Sequence, residues 1–225
     1  MDRAASEDAQ PAELKLREKA YHSFTKRLLA QEFRPGQFIS QRELVAITGM
    51  PLGAIRELVP RLEAEGLIKT VPQRGMQIAH IDIDLIRNAF QLRLILEKEA
   101  ASFFAEHASD EEIEAVRAGH LALMNDARRG VTAELVGRAQ AVDWAFHDTL
   151  IDRLGNEIIS NLYRVNSLRI RLISQARVRI LPELVMKVIE EHTAILDALA
   201  RRDPLAAAFT MEAHIASARS RAWQV

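Results

Sequence analysis

The sequence predicts a mainly α-helical protein that combines an N-terminal winged helix-turn-helix with a C-terminal antiparallel six-helix bundle. Between Ser40 and Gly75, two short helical patterns precede a segment that glycine and proline interrupt and β-branched residues fill. Beyond residue 82 the apolar periodicity is helical, with short breaks at serine, glycine or proline. Residues 14–80 carry eleven Lys and Arg against six Asp and Glu, whereas residues 81–225 carry eighteen against twenty-one. The first part can therefore approach a polyanion.

Composition restricts the class of protein. The chain has 225 residues, 48% of them hydrophobic, which is enough for two domains that each bury a core. The absence of cysteine excludes disulfide frameworks and thiolate metal sites, and it is typical of a reducing cytosol. No apolar run approaches the roughly 20 residues that span a bilayer, and the N-terminus lacks the apolar core of a signal peptide. These features predict a soluble cytoplasmic protein without a membrane partner.

The chain divides into three predicted segments. Residues 1–13 are polar, acidic and aperiodic, which predicts a mobile tail. Residues 14–80 form the predicted winged unit, and residues 81–225 form the predicted all-α unit. The winged unit opens with a helix from Leu14 to about Gln31. We expect this helix to bury one side, which consists of Leu16, Ala20, Phe24 and Leu28.

The helix-turn-helix is indicated by its helix boundaries. Ser40 with Glu43 three residues later is a capping box, in which the hydroxyl and the carboxylate satisfy each other's backbone N–H groups. A short helix is therefore expected from Gln41 to near Gly49. Pro51 is suited to the first turn of the next helix, where its missing N–H is not needed.

Three arginines are candidates for DNA contact. The second helix of such a unit can enter the major groove, and Arg56 lies on its exposed N-terminal half. Arg42, at the start of the preceding helix, can reach the phosphate backbone, and Arg74 lies at the tip of the predicted wing. Each arginine taken alone is equally well explained as a solvated surface residue. Their joint placement favours DNA contact.

Six helices are predicted in the second unit, joined by loops short enough to require a mostly antiparallel bundle. Ser109 with Glu112 is another capping box, and Thr132 and Asn156 are expected N-caps. The predicted helices cover residues 83–107, 110–129, 133–154, 157–180, 183–202 and 204–222.

A carboxylate and three imidazoles form a candidate metal site within this bundle. Asp143 and His147 share one face of a helix, while His192 and His214 lie beside apolar positions on two later helices. Such a set suits a divalent transition metal and leaves coordination positions open. The alternative is that each residue is an ordinary surface or hydrogen-bonded side chain, and spacing alone does not decide between the two. The remaining histidines are interpreted as ordinary residues: His22, His80, His107 and His120.

Five short motifs in residues 14–80 are Arg34-Pro35-Gly36, Arg42-Glu43-Leu44, Ile55-Arg56-Glu57-Leu58, Arg61-Leu62-Glu63-Ala64-Glu65-Gly66-Leu67-Ile68 and Arg74-Gly75. With these motifs the segment resembles the winged helix-turn-helix of GntR-family transcription regulators. The resemblance implies that Arg42, Arg56 and the wing tip formed by Arg74 and Gly75 meet operator DNA.

The segment departs from that family pattern in the helix that reads DNA. The family usually has Ser-Arg at the start of this helix, whereas this chain has Pro51-Leu52. Pro60 lies inside the same helix, where it removes a backbone hydrogen bond and is expected to kink or strain the helix by about 3 kcal/mol. Operator sequence and affinity therefore do not transfer from relatives.

The second unit carries a further resemblance, through segments 143–147, 191–199 and 211–215 and through Arg93 with Glu97. These segments resemble the FCD ligand-binding domain of the FadR subfamily, in its shorter VanR-like branch. The resemblance implies a divalent metal held by Asp143, His147, His192 and His214, with zinc as the first candidate and nickel, manganese or iron as alternatives. It also implies a small carboxylate effector near Arg93, although a salt bridge from Arg93 to Glu97 remains an alternative. Asn166 and Arg169 are further candidates for the effector pocket.

Together these features predict a metabolite-responsive transcription regulator, a repressor, that binds a two-fold operator as a homodimer and is not an enzyme. Two alternatives come from other classes. The adjacent His147 and Asp148 resemble the pair found in metal-dependent HD-type phosphohydrolases. A bundle that serves only for dimerisation, without effector control, is the other alternative.

Overall fold

The structure is a computed structural model that describes residues 9–177 and 182–223. It divides into two compact units, one extending to Ile81 and the other beginning at Asp82. Each unit has its own core and is described by itself. Residues 1–8, most of the predicted tail, lie outside the described residues.

The first unit contains three helices and a small antiparallel sheet with the strand order β1-β3-β2. In the register of this sheet, Ile39 lies opposite Met76, and Val71 lies opposite Gly75. The architecture is that of a winged helix-turn-helix, as the sequence predicted. The elements are α1 (Ala9–Leu29), β1 (Phe38–Ile39), α2 (Gln41–Thr48), α3 (Leu52–Ala64), β2 (Ile68–Val71) and β3 (Gly75–Ile78).

Helix α1 begins at Ala9, five residues before the predicted start at Leu14. Residues 9–13, which the sequence assigned to the tail, therefore belong to the first turns of this helix. Three of the four residues predicted to be buried are buried, namely Ala20, Phe24 and Leu28, and α1 packs against α3. Leu16 is 36% exposed, because helical periodicity gives the direction of a side chain but does not supply a neighbour to cover it.

The boundaries of α2 and α3 follow from local chemistry. Ser40 and Glu43 form the predicted capping box: the Ser40 amide donates to the Glu43 carboxylate at 2.7 Å, and the Glu43 amide donates to the Ser40 hydroxyl at 3.2 Å. Gly49 ends α2 in the left-handed conformation, with φ of +69°. Pro51 is the N-cap of α3 and lies just outside the helix, which begins at Leu52.

Pro60 does not end α3, which remains one helix from Leu52 to Ala64. Proline has no amide hydrogen, so the carbonyl group of Arg56 receives no intrahelical donor from this position. Both Pro60 and Arg56 lie on the exposed side of the helix, where water can satisfy that carbonyl. Ile55, Leu58 and Leu62 form the buried side.

The wing is the hairpin between β2 and β3. The Arg74 amide donates to the Val71 carbonyl at 3.0 Å, and Gln73 adopts a positive φ of 61°, so the turn has proline at its second position and a left-handed third position. Gly75 has φ of +92°, and an added Cβ there would lie 2.9 Å from the Ile39 carbonyl oxygen. Glycine is therefore required where the wing meets β1.

The second unit is the predicted helical bundle. Helix α4 packs against α6, α7 and α9, while α8 packs against α5 and α9. No helix among the described residues is long and apolar enough to cross a membrane. The helices are α4 (Ile83–His107), α5 (Asp110–Ala127), α6 (Ala133–Asp152), α7 (Glu157–Arg177), α8 (Pro182–Ala200) and α9 (Pro204–Trp223).

The helix caps in the bundle match the sequence prediction. Ser109 and Glu112 form a capping box, and the side chains of Thr132 and Asn156 accept backbone amides at the starts of α6 and α7. Helices α5 and α6 each end two residues earlier than predicted, before Gly130 and Gly155. The predicted end of α7 at residue 180 lies outside the described residues.

A hydrophobic cluster joins α5, α6 and α8. Leu123 from α5, Ala139 from α6 and Ile189 from α8 meet there. Asp143 and His192 lie about one helical turn beyond Ala139 and Ile189, so this packing fixes the two helices that present them.

Candidate functional site

Four side chains from three helices converge in the second unit. Asp143 and His147 come from α6, His192 from α8 and His214 from α9, and one ligand atom of each lies within 4.8 Å of the others. His192 Nε2 is 3.3 Å from Asp143 Oδ1 and 3.4 Å from His214 Nε2. All three imidazoles are buried. The structure thus brings together all four residues that the sequence named as metal ligands.

His214 is oriented by Glu191. Its Nδ1 lies 2.9 Å from the Glu191 carboxylate, which also accepts hydrogen bonds from Ser217 at 2.6 Å and Arg221 at 3.1 Å. Burial lowers the pKa of His214 to about 3, so the ring is neutral near pH 7. The Nδ1 proton points to Glu191, and the lone pair on Nε2 faces the cluster.

His192 is oriented by His120, which the sequence pattern does not distinguish from an ordinary residue. His120 Nδ1 donates to the Val116 carbonyl at 2.9 Å, and His120 Nε2 lies 2.9 Å from His192 Nδ1. Burial lowers the pKa of His120 to about 4, and burial also lowers the pKa of His192. With both rings neutral, His192 Nδ1 donates to His120, and the Nε2 lone pair of His192 faces the cluster.

His147 lies between Glu97 and Arg93. Its Nδ1 is 2.7 Å from Glu97 Oε2, a close electrostatic contact whose alignment falls short of a hydrogen bond. Its Nε2 is 2.7 Å from Arg93 Nη2. Glu97 also accepts from Arg93 Nε at 2.7 Å and from the Tyr163 hydroxyl at 2.8 Å. The salt bridge between Arg93 and Glu97 that the sequence left as an alternative is therefore present.

The charge on Asp143 completes the site. Burial raises its pKa, but the polar groups around it, with the Arg93 guanidinium among them, outweigh burial and hold the pKa well below its usual range. A carboxylate and the imidazole lone pairs therefore face one point. Three nitrogens and one oxygen at this separation could hold a divalent transition metal.

A small cavity of about 40 Å³ adjoins the cluster. Arg93 and Arg221 both line it. Asn166 and Arg169, the other predicted effector residues, do not line it: the Asn166 amide donates to the Ala89 carbonyl at 2.9 Å, and Arg169 is half-buried elsewhere on α7. Sequence spacing did not identify Arg221. The remaining lining residues include Phe90, Gln140, Asp143, Ser174, Leu184 and His214.

A larger cavity of about 360 Å³ lies between α5 and α6. Its wall is mainly apolar, with Val116, Val142 and Phe146. It contains none of the four converging residues, although His120, the partner of His192, forms part of it. The smaller cavity is the better candidate for an anion, because it has two guanidinium groups in its wall.

Asp148 does not join the histidine cluster. Its carboxylate accepts a hydrogen bond from Arg171 at 2.9 Å, and the Arg171 guanidinium stacks over Trp144 at 4.6 Å. The adjacent His147 and Asp148 therefore face different partners, unlike two ligands of one metal site.

The predicted DNA-contacting residues lie in the first unit. Arg42 and Arg56 are exposed on α2 and α3. Arg74 is exposed at the wing, with its guanidinium 4.0 Å above the Phe38 ring, and Gly75 begins β3. Leu52, at the start of α3, is 38% exposed, so an apolar side chain occupies the exposed start of this helix.

Comparisons with known proteins identify both units. A family model described as bacterial regulatory proteins of the gntR family matches residues 16–78, and the FCD domain model matches residues 88–217. The fold is similar to that of E. coli McbR/YncC, with a TM-score of 0.76 at 15% identity, covering 93% of this chain and 97% of that one.

Two curated relatives are transcription regulators by name. The chain is 29% identical over 143 residues to the Nta operon transcriptional regulator of Aminobacter aminovorans, covering 64% of this chain and 66% of that protein, just under two thirds. It is 26% identical over 229 residues to the HTH-type transcriptional repressor NanR of Salmonella arizonae, covering 92% and 84%. The chain therefore belongs to the GntR family of bacterial transcription regulators, with a C-terminal FCD domain, and this family consists of regulators and not of enzymes.

Proposed function

We propose that this regulator is a repressor that binds operator DNA through its first unit, and a divalent metal and a small carboxylate effector through its second. The observation that carries the proposal is the arrangement of the three histidines. Each turns Nδ1 toward a fixed partner, namely Glu97, His120 or Glu191, and each turns Nε2 toward Asp143 and the common point. Partners of this kind orient metal-binding histidines in proteins.

Zinc is the metal we propose. Imidazole nitrogen with one carboxylate oxygen suits zinc, and nickel, manganese and iron are the alternatives. When bound, the metal would be held by Asp143, His147, His192 and His214 and would supply a Lewis-acidic anchor for an acid group. Because regulation requires differential binding and no bond need break, the metal serves structure and ligand anchoring.

The effector we propose is a compact organic acid. Arg93 and Arg221 supply guanidinium groups in the wall of the small cavity, and Gln140 supplies an amide. A volume of about 40 Å³ is far below the roughly 300 Å³ or more of a typical drug-sized pocket. The cavity therefore favours a small acid of few carbon atoms.

DNA binding is assigned to the first unit. Arg42, Arg56 and the wing tip at Arg74 and Gly75 are the proposed contacts, and a homodimer would present two such units to a two-fold operator. Effector binding would then change the relative stability of the DNA-competent dimer.

The test uses the full chain with and without zinc. We expect elemental analysis to find about one metal ion per chain after loading and dialysis. Fluorescence anisotropy should detect preference for DNA beside the regulator's own gene over a scrambled duplex, with affinity that falls steeply with salt. A panel of small carboxylic acids should include one that weakens this binding. Equal affinity for both duplexes would refute the proposal that the protein recognises a specific operator. Failure to retain any metal would refute the metal centre.

A further inference from the structure

One lone pair in the metal cluster already has a partner within the protein. Arg93 Nη2 lies 2.7 Å from His147 Nε2. A guanidinium group only donates hydrogen bonds, so Nε2 must be the acceptor and must carry a lone pair instead of a proton. The proton of the neutral ring is then on Nδ1, which agrees with the position of the Glu97 carboxylate 2.7 Å from that atom.

The same lone pair is the one that a metal would need. His147 Nε2 is directed toward the region where Asp143, His192 and His214 converge, whereas Nδ1 is turned toward Glu97. A ring nitrogen has a single lone pair, which cannot accept a guanidinium proton and bind a metal at once. Arg93 and the metal therefore compete for His147.

The Arg93 side chain cannot move far when it loses this contact. It is 6% exposed, and its Nε is held by Glu97 Oε1 at 2.7 Å. Its guanidinium group also forms part of the wall of the 40 Å³ cavity next to Asp143 and His214. An Nη2 group released from His147 is thus retained beside that cavity with an unsatisfied donor, which costs free energy unless an acceptor is supplied.

We propose that Arg93 is an internal competitor of the metal, and that metal binding converts it into the donor for an anion in the adjacent cavity. The inference rests on the proposed metal and acid binding and adds their coupling. By itself Arg93 opposes metal binding, because it occupies His147 Nε2 and places a positive charge beside the cluster. An anion offsets both effects, so metal and acid increase each other's affinity, and this coupling is reciprocal.

Arg93→Lys separates the two contacts of this side chain. Arginine reaches Glu97 with Nε and His147 with Nη2, which are different nitrogens. Lysine carries all its donors on one nitrogen, so it can retain the buried ion pair with Glu97 but lacks the separate Nη2 that Arg93 places against His147. The variant is therefore expected to fold and to lack the competition. Arg87→Lys is the matched control, because Arg87 is an exposed residue of the same helix and pairs with Asp84.

The experiment measures zinc affinity of the full-length protein against a competing chelator, in the presence and absence of acetate. In acetate-free buffer, Arg93→Lys should bind zinc on the order of tenfold more tightly than the wild type, and Arg87→Lys should match the wild type. Acetate should tighten zinc binding by the wild type and should have a smaller effect on Arg93→Lys. NMR tests the Arg93 contact directly. Zinc should shift the side-chain 15N resonances of Arg93 and leave those of Arg87 unchanged.

The outcomes distinguish this inference from the proposed function. If Arg93→Lys binds zinc as tightly as the wild type or more weakly, the competition is overturned. If acetate does not change the zinc affinity of the wild type, the coupling is overturned. Absence of zinc binding by both proteins overturns the metal centre itself.

Discussion

The two units hold their arginines in opposite ways. Arg42 and Arg56 in the first unit are exposed, and no ion pair among the described residues includes either of them. Arg93 and Arg221 in the second unit are each paired with a carboxylate, and Arg93 is almost fully buried. Exposed cations attract a polyanion over a long range and are screened by salt, whereas buried pairs are preorganised and screened little. The first arrangement suits an extended charged partner and the second a compact one.

The largest expected effect comes from breaking the buried pair. Arg93→Ala leaves the charge of Glu97 buried without its main partner, and we expect a loss of about 3–5 kcal/mol in the free energy of unfolding. Arg87→Ala on the same helix removes only a surface pair with Asp84 and should cost less than about 0.5 kcal/mol. Both tryptophans of the chain are in the second unit, so urea denaturation followed by their fluorescence reports on it. Similar losses in the two variants would contradict the comparison.

The next largest effect is expected from the removal of one ligand of the proposed metal centre. His192→Ala removes one of four converging ligands and should weaken zinc binding by more than about 100-fold. His107→Ala, at the exposed end of α4, should leave zinc affinity unchanged. Competition with a chromophoric chelator measures both. Equal zinc affinity of His192→Ala and the wild type would place the metal elsewhere.

Acid should destabilise the second unit through its buried histidines. The pKa of His120 is lowered by burial from 6.5 to about 4, so between these values the unfolded chain binds a proton that the folded chain does not. The contribution of this histidine to the free energy of unfolding is therefore fully present above pH 6.5. It falls as the pH decreases toward 4, by about 1.4 kcal/mol per pH unit for one such group. Urea denaturation with a chelator present should show this slope, and His120→Gln should make it shallower. A slope unchanged in that variant would assign the loss to other groups.

The removal of a single exposed arginine should weaken DNA binding, and we expect this effect to be smaller than the preceding ones. Arg56→Ala is expected to weaken operator binding by about 1–3 kcal/mol. If Arg56 contacts a phosphate, the salt dependence should also fall by about one unit. Arg27→Ala, whose side chain pairs with Glu32 on the same unit, is the control and should bind normally. Anisotropy titrations at several salt concentrations measure both, and unchanged operator affinity of Arg56→Ala would refute its assignment.

The smallest expected effect compares the same motif in the two units. Ser40→Ala and Ser109→Ala each remove a capping box and should each cost about 1 kcal/mol of stability. Only Ser40→Ala should also weaken DNA binding, because it lies at the start of α2. Ser220→Ala, at an exposed position of α9, should change neither property. Equal effects of Ser40→Ala and Ser109→Ala on DNA affinity would mean that the helix start is not part of the interface.

The sequence predicted those features that depend on neighbours along the chain. Both capping boxes, the Thr132 and Asn156 caps and the turn at the wing depend on residues within four positions of each other. The winged helix-turn-helix and the helical bundle followed from these signals and from apolar periodicity. Leu16 shows the limit of that periodicity, since it lies on the predicted buried side of α1 and is partly exposed.

The sequence named the four residues that converge in the candidate site, but it did not predict the hydrogen bonds that orient them. Asp143 and His147 have helical spacing, His192 and His214 lie beside apolar positions on two later helices, and the resemblance to FCD domains implied the same four ligands. His120 could not be identified in this way, because its role depends on the packing of α5 against α8 across 72 positions of sequence. Arg221 depends in the same way on the approach of α9 to Glu191 on α8.

The Glu97 carboxylate joins three helices, because it contacts Arg93 on its own helix, His147 on α6 and Tyr163 on α7. Gln140, Leu184 and Val188 belong to the cavity wall and not to this network. If the proposed acid binds in this cavity, its identity can be changed by replacing wall residues one at a time, whereas the network must be retained or replaced as a group. A small library at these three wall positions is the natural starting point for a sensor of a different acid.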